Sequence, residues 1–135
     1  MVTFDIVSHY QRGTPSEGRG RKIGGGPLYD LAQVRGIAQT RGRVRFWTRK
    51  SAFDAQELNL DAEAVGQFLL ALQPQNYRDS EWCTDGRAWA ACDAYVLLRR
   101  EWVPSAGRAM LMEYFLKFAV SKSGSLVLMV SCHVA

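Results

Sequence analysis

The carboxyl-terminal segment Leu126-Val127-Leu128-Met129-Val130-Ser131-Cys132-His133 is an unbroken apolar run that ends on one of only two histidines. A second run, Tyr114-Phe115-Leu116-Lys117-Phe118-Ala119-Val120, carries a single lysine. Runs of this length and apolarity are expected as strands of a buried sheet. Ser121-Lys122-Ser123-Gly124 between them has the chemistry of a hairpin turn, with Gly124 where positive φ is needed. Side chains alternate across a strand, so Phe115, Lys117 and Ala119 share one face and Tyr114, Leu116 and Phe118 the other. The face with Lys117 is the less apolar of the two. A strand pair that places one amine and one imidazole among apolar neighbours suits phosphate chemistry: lysine holds an anion, and imidazole moves protons near neutral pH.

A third strand is expected over Ala88 to Leu98, followed by a turn at Pro104-Ser105-Ala106-Gly107. Helices precede the strands. Pro27 is expected to open the first, with Leu28, Leu31 and Val34 at helical spacing and Gly42 as the stop. Arg43 to Trp47 alternates basic and apolar residues and is expected to be extended. Thr48 or Ser51 caps a second helix, and Asp61 caps a third whose buried stripe is Val65, Phe68, Leu69 and Leu72. Pro74 prevents that helix from continuing, which leaves Arg78 in the loop that follows. Helices followed by an antiparallel meander predict an α+β domain with N-terminal helices on one face of a mainly antiparallel sheet.

The 135 residues fit a single domain, divided here into a Gly-rich basic arm over 1–26 and a folded domain over 27–135. Residues 11–26 are dense in Gly, Arg, Ser and Pro and have little to bury, so a flexible arm is expected. Charge is uneven: residues 1–50 hold ten Lys/Arg against three acids, while the remainder holds seven against ten. Such a basic half attracts polyanions, of which nucleic acid is the usual one. Arg41, Arg43, Arg45, Arg49 and Lys50 are the candidate RNA-binding residues, with Tyr95 added from the third expected strand. Trp82, Trp89 and Trp102 are either base-stacking platforms or, more ordinarily for this size of chain, core residues. Cys83, Cys92 and Cys132 have no metal-ligand spacing and are read as buried thiols. No apolar run is long enough to span a bilayer, and Met1 to Asp5 lacks a basic flank with an apolar core, so a cytoplasmic protein without a membrane partner is expected.

An ordered series of local matches runs through the chain. It comprises Tyr29-Asp30-Leu31-Ala32-Gln33-Val34-Arg35, Gly42-Arg43-Val44-Arg45, Lys50-Ser51-Ala52, and Asp54-Ala55-Gln56-Glu57-Leu58-Asn59-Leu60. It continues with Tyr77-Arg78-Asp79-Ser80, Asp93-Ala94-Tyr95, Phe115-Leu116-Lys117 and Val130-Ser131-Cys132-His133. The series, over residues 27–134, resembles the MqsR family of bacterial toxins. The resemblance implies a RelE-like α+β fold and a metal-independent endoribonuclease that cleaves mRNA, needs no cofactor and is neutralised by a cognate antitoxin protein. It also implies site positions. Arg78, after a one-residue shift, takes the place of a lysine. Cys92 takes that of a glutamine and Phe115 that of a tyrosine. Lys117 matches the strand lysine, and His133 stands at the terminal cationic position. His133, Arg78 and Lys117 are therefore the candidate catalytic residues: His133 as base or acid, the two cations as holders of the phosphate. The competing expectation is a binding module on the same scaffold that cleaves nothing, or a strand edge and aromatics that serve to hold a protein partner.

Overall fold

The computed structural model describes residues 4–15 and 21–134. Its elements are α1 (Leu31–Ala38), β1 (Val44–Phe46), α2 (Arg49–Glu57), α3 (Ala62–Ala71), a 3-10 turn (Pro74–Asn76), β2 (Tyr77–Thr84), β3 (Trp89–Val103), β4 (Arg108–Val120) and β5 (Val127–Val134). The described residues thus form an α+β domain with three helices and a five-stranded mixed sheet in the order β1-β5-β4-β3-β2. β2 to β5 pair antiparallel, and β1 joins β5 in parallel. Among the described residues no helix is long and apolar enough to cross a membrane.

The helix starts follow from their caps. The Asp61 carboxylate accepts the Ala64 N–H at 2.8 Å. The Thr48 hydroxyl accepts from Ser51 N at 3.0 Å and donates to the Val130 carbonyl at 2.8 Å, which ties the start of α2 to the edge of β5. Pro27 does not open α1. Asp30 is the cap, accepting from Ala32 N at 3.0 Å, because the residues before it are committed elsewhere.

That commitment is to Asp93, which is fully buried on β3. Its carboxylate accepts the N–H of Leu28 at 3.0 Å, the N–H of Tyr29 at 3.1 Å and the Ser80 hydroxyl at 2.6 Å. The Tyr29 hydroxyl donates to the Ala91 carbonyl at 2.5 Å. Gly26 packs so tightly on the Tyr77 and Ser80 hydroxyls that any Cβ there would overlap them. Burial raises the Asp93 carboxyl above the ordinary range, against the pull of its three donors.

Two sequence expectations are corrected. Residues 77–84 form strand β2, not a loop, which puts Arg78 on the sheet beside a bulge between Tyr77 and Asp79. The amino-terminal segment, in its described parts, is not a free arm. Ile6 bridges Trp89, Ser8 bridges Ser121, and Lys22 bridges Glu81 at the β2 edge. Backbone bonds from Ile23 N to Ser80 O at 2.9 Å and from Trp82 N to Arg21 O at 2.7 Å extend that edge. The expected arm also includes residues 16–20, which lie outside the described residues.

The core joins Val34, Val65, Phe68, Leu69 and Leu72 from the helices to Tyr95, Leu97, Tyr114, Leu116, Phe118, Met129 and Cys132 from the sheet. Removing the Asp93 carboxylate takes the acceptor from the N–H groups of Leu28 and Tyr29 and from the Ser80 hydroxyl, so Asp93→Ala should cost about 3 kcal/mol in urea unfolding. Because the folded carboxyl is held above its unfolded value, ionising it opposes folding. Wild-type stability should therefore decline as pH rises from the ordinary carboxylate range through the raised value, and Asp93→Asn should flatten that limb.

Candidate nucleic-acid interface

Strand register decides which side chains meet. Tyr95, Leu116 and Cys132 form one row across β3, β4 and β5, and they point into the core. The next row, Val96, Phe115 and His133, points to the opposite face. Ala94, Lys117 and Ser131 share that second face. On β1, Arg45 is in register with Leu128, which pairs with Ala119, so Arg45 belongs to it as well. Arg78 lines a cavity of about 250 Å³ with Val96, Leu98 and Glu113, which places it on this face at the β2 side. The second face therefore carries Arg45, His133, Lys117 and Arg78 on four of the five strands.

The contacts within that set are specific. The His133 ring stacks on Phe115 with centroids 5.0 Å apart and planes 23° apart. Its Nδ1 lies 3.2 Å from the Val134 carbonyl. A carbonyl only accepts, so Nδ1 carries the hydrogen of that bond and Nε2 is the nitrogen left to act as a base. No titratable side chain hydrogen-bonds to His133 among the described residues. Lys117 Nζ lies 5.5 Å from the Phe115 ring centre and forms an ion pair with Glu81. The pair reaches from β4 to β2 across β3, where Cys92 and Ala94 are small enough to leave it room. Lys22 adds a second cation, 2.6 Å from Asp79 and 3.7 Å from Glu81.

Arg45 stands at the β1 side of this face, and the other basic candidates are not gathered on it. Arg41 pairs with Glu63 at 3.6 Å, and Lys50 with Asp54 at 2.7 Å. The Arg43 guanidinium donates to the Ser125 carbonyl at 3.3 Å, and Arg45 Nε to the Gly42 carbonyl at 3.0 Å. With Arg49, exposed at the start of α2, they form a basic border in the segment 41–50, through β1 and the start of α2. Tyr95 does not join an RNA surface: it is buried, stacked on Phe118 at 5.6 Å and edge-on to Tyr77. Burial pushes its hydroxyl up to about 12. Trp82 is likewise buried, whereas Trp102 stands exposed.

Glu81 was not singled out by the sequence. Its signal was latent in the alternation of Asp79, Glu81 and Cys83, which becomes visible only once β2 is recognised as a strand. Cys83 and Cys92 are diagonal neighbours on the same face. The Cys92 thiol, followed by Lys117, draws the Cys83 thiol below its ordinary value, while burial drives Cys92 up. Among the described residues, no group of three or more His, Cys, Asp or Glu side chains is arranged to hold a metal ion.

Chemically, the face presents the cations Lys117, Arg78, Arg45 and Lys22, one aromatic–imidazole stack and the carboxylates Asp79, Glu81 and Glu113. Neighbouring strands lie about 4.8 Å apart, so the backbones at Arg78 and His133 stand roughly 14 Å apart, flanking Lys117. No protein-family model and no curated protein matches the chain.

Glu81 neutralises the most central cation of the face. Glu81→Gln should free Lys117 for phosphate, tightening single-stranded RNA binding at low salt and steepening the log–log salt slope by about 0.7. An unchanged slope in a salt titration would place the bound strand elsewhere.

Proposed function

We propose that the protein is a metal-independent endoribonuclease that cleaves mRNA, as its resemblance to the MqsR toxins implies. In this reading it inhibits translation and growth, acts in the cytoplasm and is held in check by a cognate antitoxin protein. The fold is read as RelE-like, with helices covering the face that carries Tyr114, Leu116 and Phe118 and with RNA on the other. The observation that carries the reading is the shared face of His133, Lys117, Arg78 and Arg45.

The chemistry uses the substrate's own 2′-hydroxyl. His133 Nε2 takes its proton, and the freed oxygen attacks the neighbouring phosphorus. Arg78 and Lys117 hold the charge that develops on the non-bridging oxygens, and the 5′-oxygen leaves with a proton drawn from solvent water, the phosphate closing onto the 2′-oxygen as a 2′,3′-cyclic ester. Arg78 offers a planar fork to the phosphate. Lys117 acts with part of its charge offset by Glu81, so Arg78 carries the larger share. Arg45 and the border at Arg41, Arg43, Arg49 and Lys50 guide the strand toward the site.

A second reading is a binding module that holds RNA without cutting it. Three observations favour it: the Lys117–Glu81 ion pair, the absence of a titratable partner for His133 among the described residues, and Phe115 and Cys92 at the positions where the resemblance calls for tyrosine and glutamine.

The two separate in one assay. Purified protein incubated with RNA in excess chelator should cleave it, and His133→Ala should slow cleavage by about 10²- to 10⁴-fold. Arg78→Ala should slow it while leaving the pH profile in place. RNA that is retained but intact supports the binding module, and an unchanged rate in His133→Ala removes the imidazole from the mechanism.

A further inference from the structure

Cys83 and Cys92 stand on neighbouring antiparallel strands and on one side of the sheet, and both are free thiols. Ala90 is the register partner of Cys83, and Glu81 is that of Cys92, so the two cysteines are diagonal neighbours. Each thiol leans back along its own strand toward the other. Cys92 Sγ lies 3.5 Å from the Ala90 carbonyl, level with Cys83, and Cys83 Sγ lies 4.0 Å from the Glu81 carbonyl, level with Cys92. Backbones on a diagonal ordinarily stand about 7–8 Å apart, just beyond the span that a disulfide closes without movement. The opposed lean takes up part of that gap. Cys83 is also the last residue but one of β2, so little of the ladder has to move with it.

The two thiols differ in access and in chemistry. Cys83 keeps 9% of its surface exposed, and Cys92 keeps none. The Cys92 thiol, Lys117 and Arg21 draw Cys83 below its ordinary value against burial and Glu81, whereas burial drives Cys92 up. A reachable thiol drawn toward its thiolate, beside a sheltered and protonated one, is the arrangement of an attacking and a resolving cysteine. Cys132 is the contrast. It lies in the row of Tyr95 and Leu116 on the opposite face, and burial pushes it up to about 11.

We propose that Cys83 and Cys92 are a peroxide-reactive pair that closes reversibly into a disulfide. Neither thiol takes part in the proposed cleavage, so the pair is tested apart from the RNA reading. The Cys83 thiolate attacks one oxygen of hydrogen peroxide. The O–O bond breaks, the other oxygen leaves as hydroxide and takes up the proton that Cys83 shed, and Cys83 becomes a sulfenic acid. The Cys92 sulfur then attacks the Cys83 sulfur. The S–S bond forms as the S–O bond breaks, and the departing hydroxide takes the Cys92 proton. Two thiols and one peroxide give one disulfide and two waters, with two electrons passing from the sulfurs to the peroxide oxygens. A bridge across a diagonal is strained, so a dithiol reductant reopens it readily.

The test is oxidation of the full chain by hydrogen peroxide, with free thiols counted after unfolding and the bridge located by non-reducing peptide mass mapping. Wild type should lose two of its three free thiols, stay monomeric and join the Cys83 and Cys92 peptides, and dithiothreitol should restore all three. Cys92→Ala should stop at a Cys83 sulfenic acid that dimedone traps, and Cys83→Ala should keep both remaining thiols. The wild-type map needs no variant, so a folding defect in either alanine form leaves the test in place. Three thiols retained in wild type, a dimedone adduct there without a bridge, a bridge to Cys132, covalent dimers, or thiol loss in Cys83→Ala as fast as in wild type would each overturn the pair.

Discussion

The register of β3, β4 and β5 is the constraint on which everything else rests. Along these strands alternate side chains belong to the core row and to the opposite face, where Phe115, Lys117 and His133 are half-buried and Cys92, Ala94, Ala119 and Ser131 are buried, and a slip of one residue would exchange the two sets. The core set fixes the register. Tyr95, Leu116, Phe118, Met129 and Cys132 are almost wholly buried, so a slip would bring Lys117 and Ala94 inward and expose them. The bulge between Lys117 and Phe118 takes up the mismatch with β5 and keeps both ends of the hairpin in phase. His133 and Lys117 thus face outward because their neighbours must face inward. The candidate site is a consequence of core packing before it is anything else.

The buried carboxylate of Asp93 does the corresponding work at the other end of the sheet. By gathering the N–H groups of Leu28 and Tyr29 and the hydroxyl of Ser80, it joins the start of α1, β3 and β2 in one polar knot. Ser8, wholly buried, accepts the Ala91 N–H at 3.0 Å and fastens the amino-terminal segment beside it. Of the chain ahead of residue 27, residues 21–23 extend the β2 edge of the sheet. That edge supplies Lys22, whose charge, with that of Lys117, balances Asp79 and Glu81. Acidic residues on β2 are thereby tolerated on a face otherwise suited to an anion.

Much of this was legible in the sequence because it depended on local chemistry. Thr48 and Asp61 cap where short polar side chains before apolar stripes cap. Gly42 and Gly124 take the positive φ that their turns require. The split of Phe115 and Lys117 from Tyr114 and Leu116 followed from alternation alone. What escaped depended on residues far apart in the chain. β2 looked like a loop because Arg78, Asp79 and Glu81 are charged, and their partners Lys22 and Lys117 stand many residues away. Tyr95 was assigned to RNA although its alternation with Asp93 sends it into the core. The parallel pairing of β1 with β5 left no local mark, since three residues carry too little pattern. The resemblance to the MqsR toxins rests on the series of matches quoted above, and the proposed reaction rests on that resemblance alone. The structure brings His133, Lys117 and Arg78 to one face of the sheet.

The claim that matters most is that RNA lies on the face of His133 and not on the opposite side of the sheet. The direct measurement is a titration of isotope-labelled protein with non-cleavable 2′-O-methyl RNA, followed by NMR. The account predicts perturbed side-chain resonances at His133, Lys117, Arg78 and Arg45, with those of Tyr114, Leu116 and Phe118 unmoved. Perturbations confined to α1 and α3, or absent at saturating RNA, would contradict it.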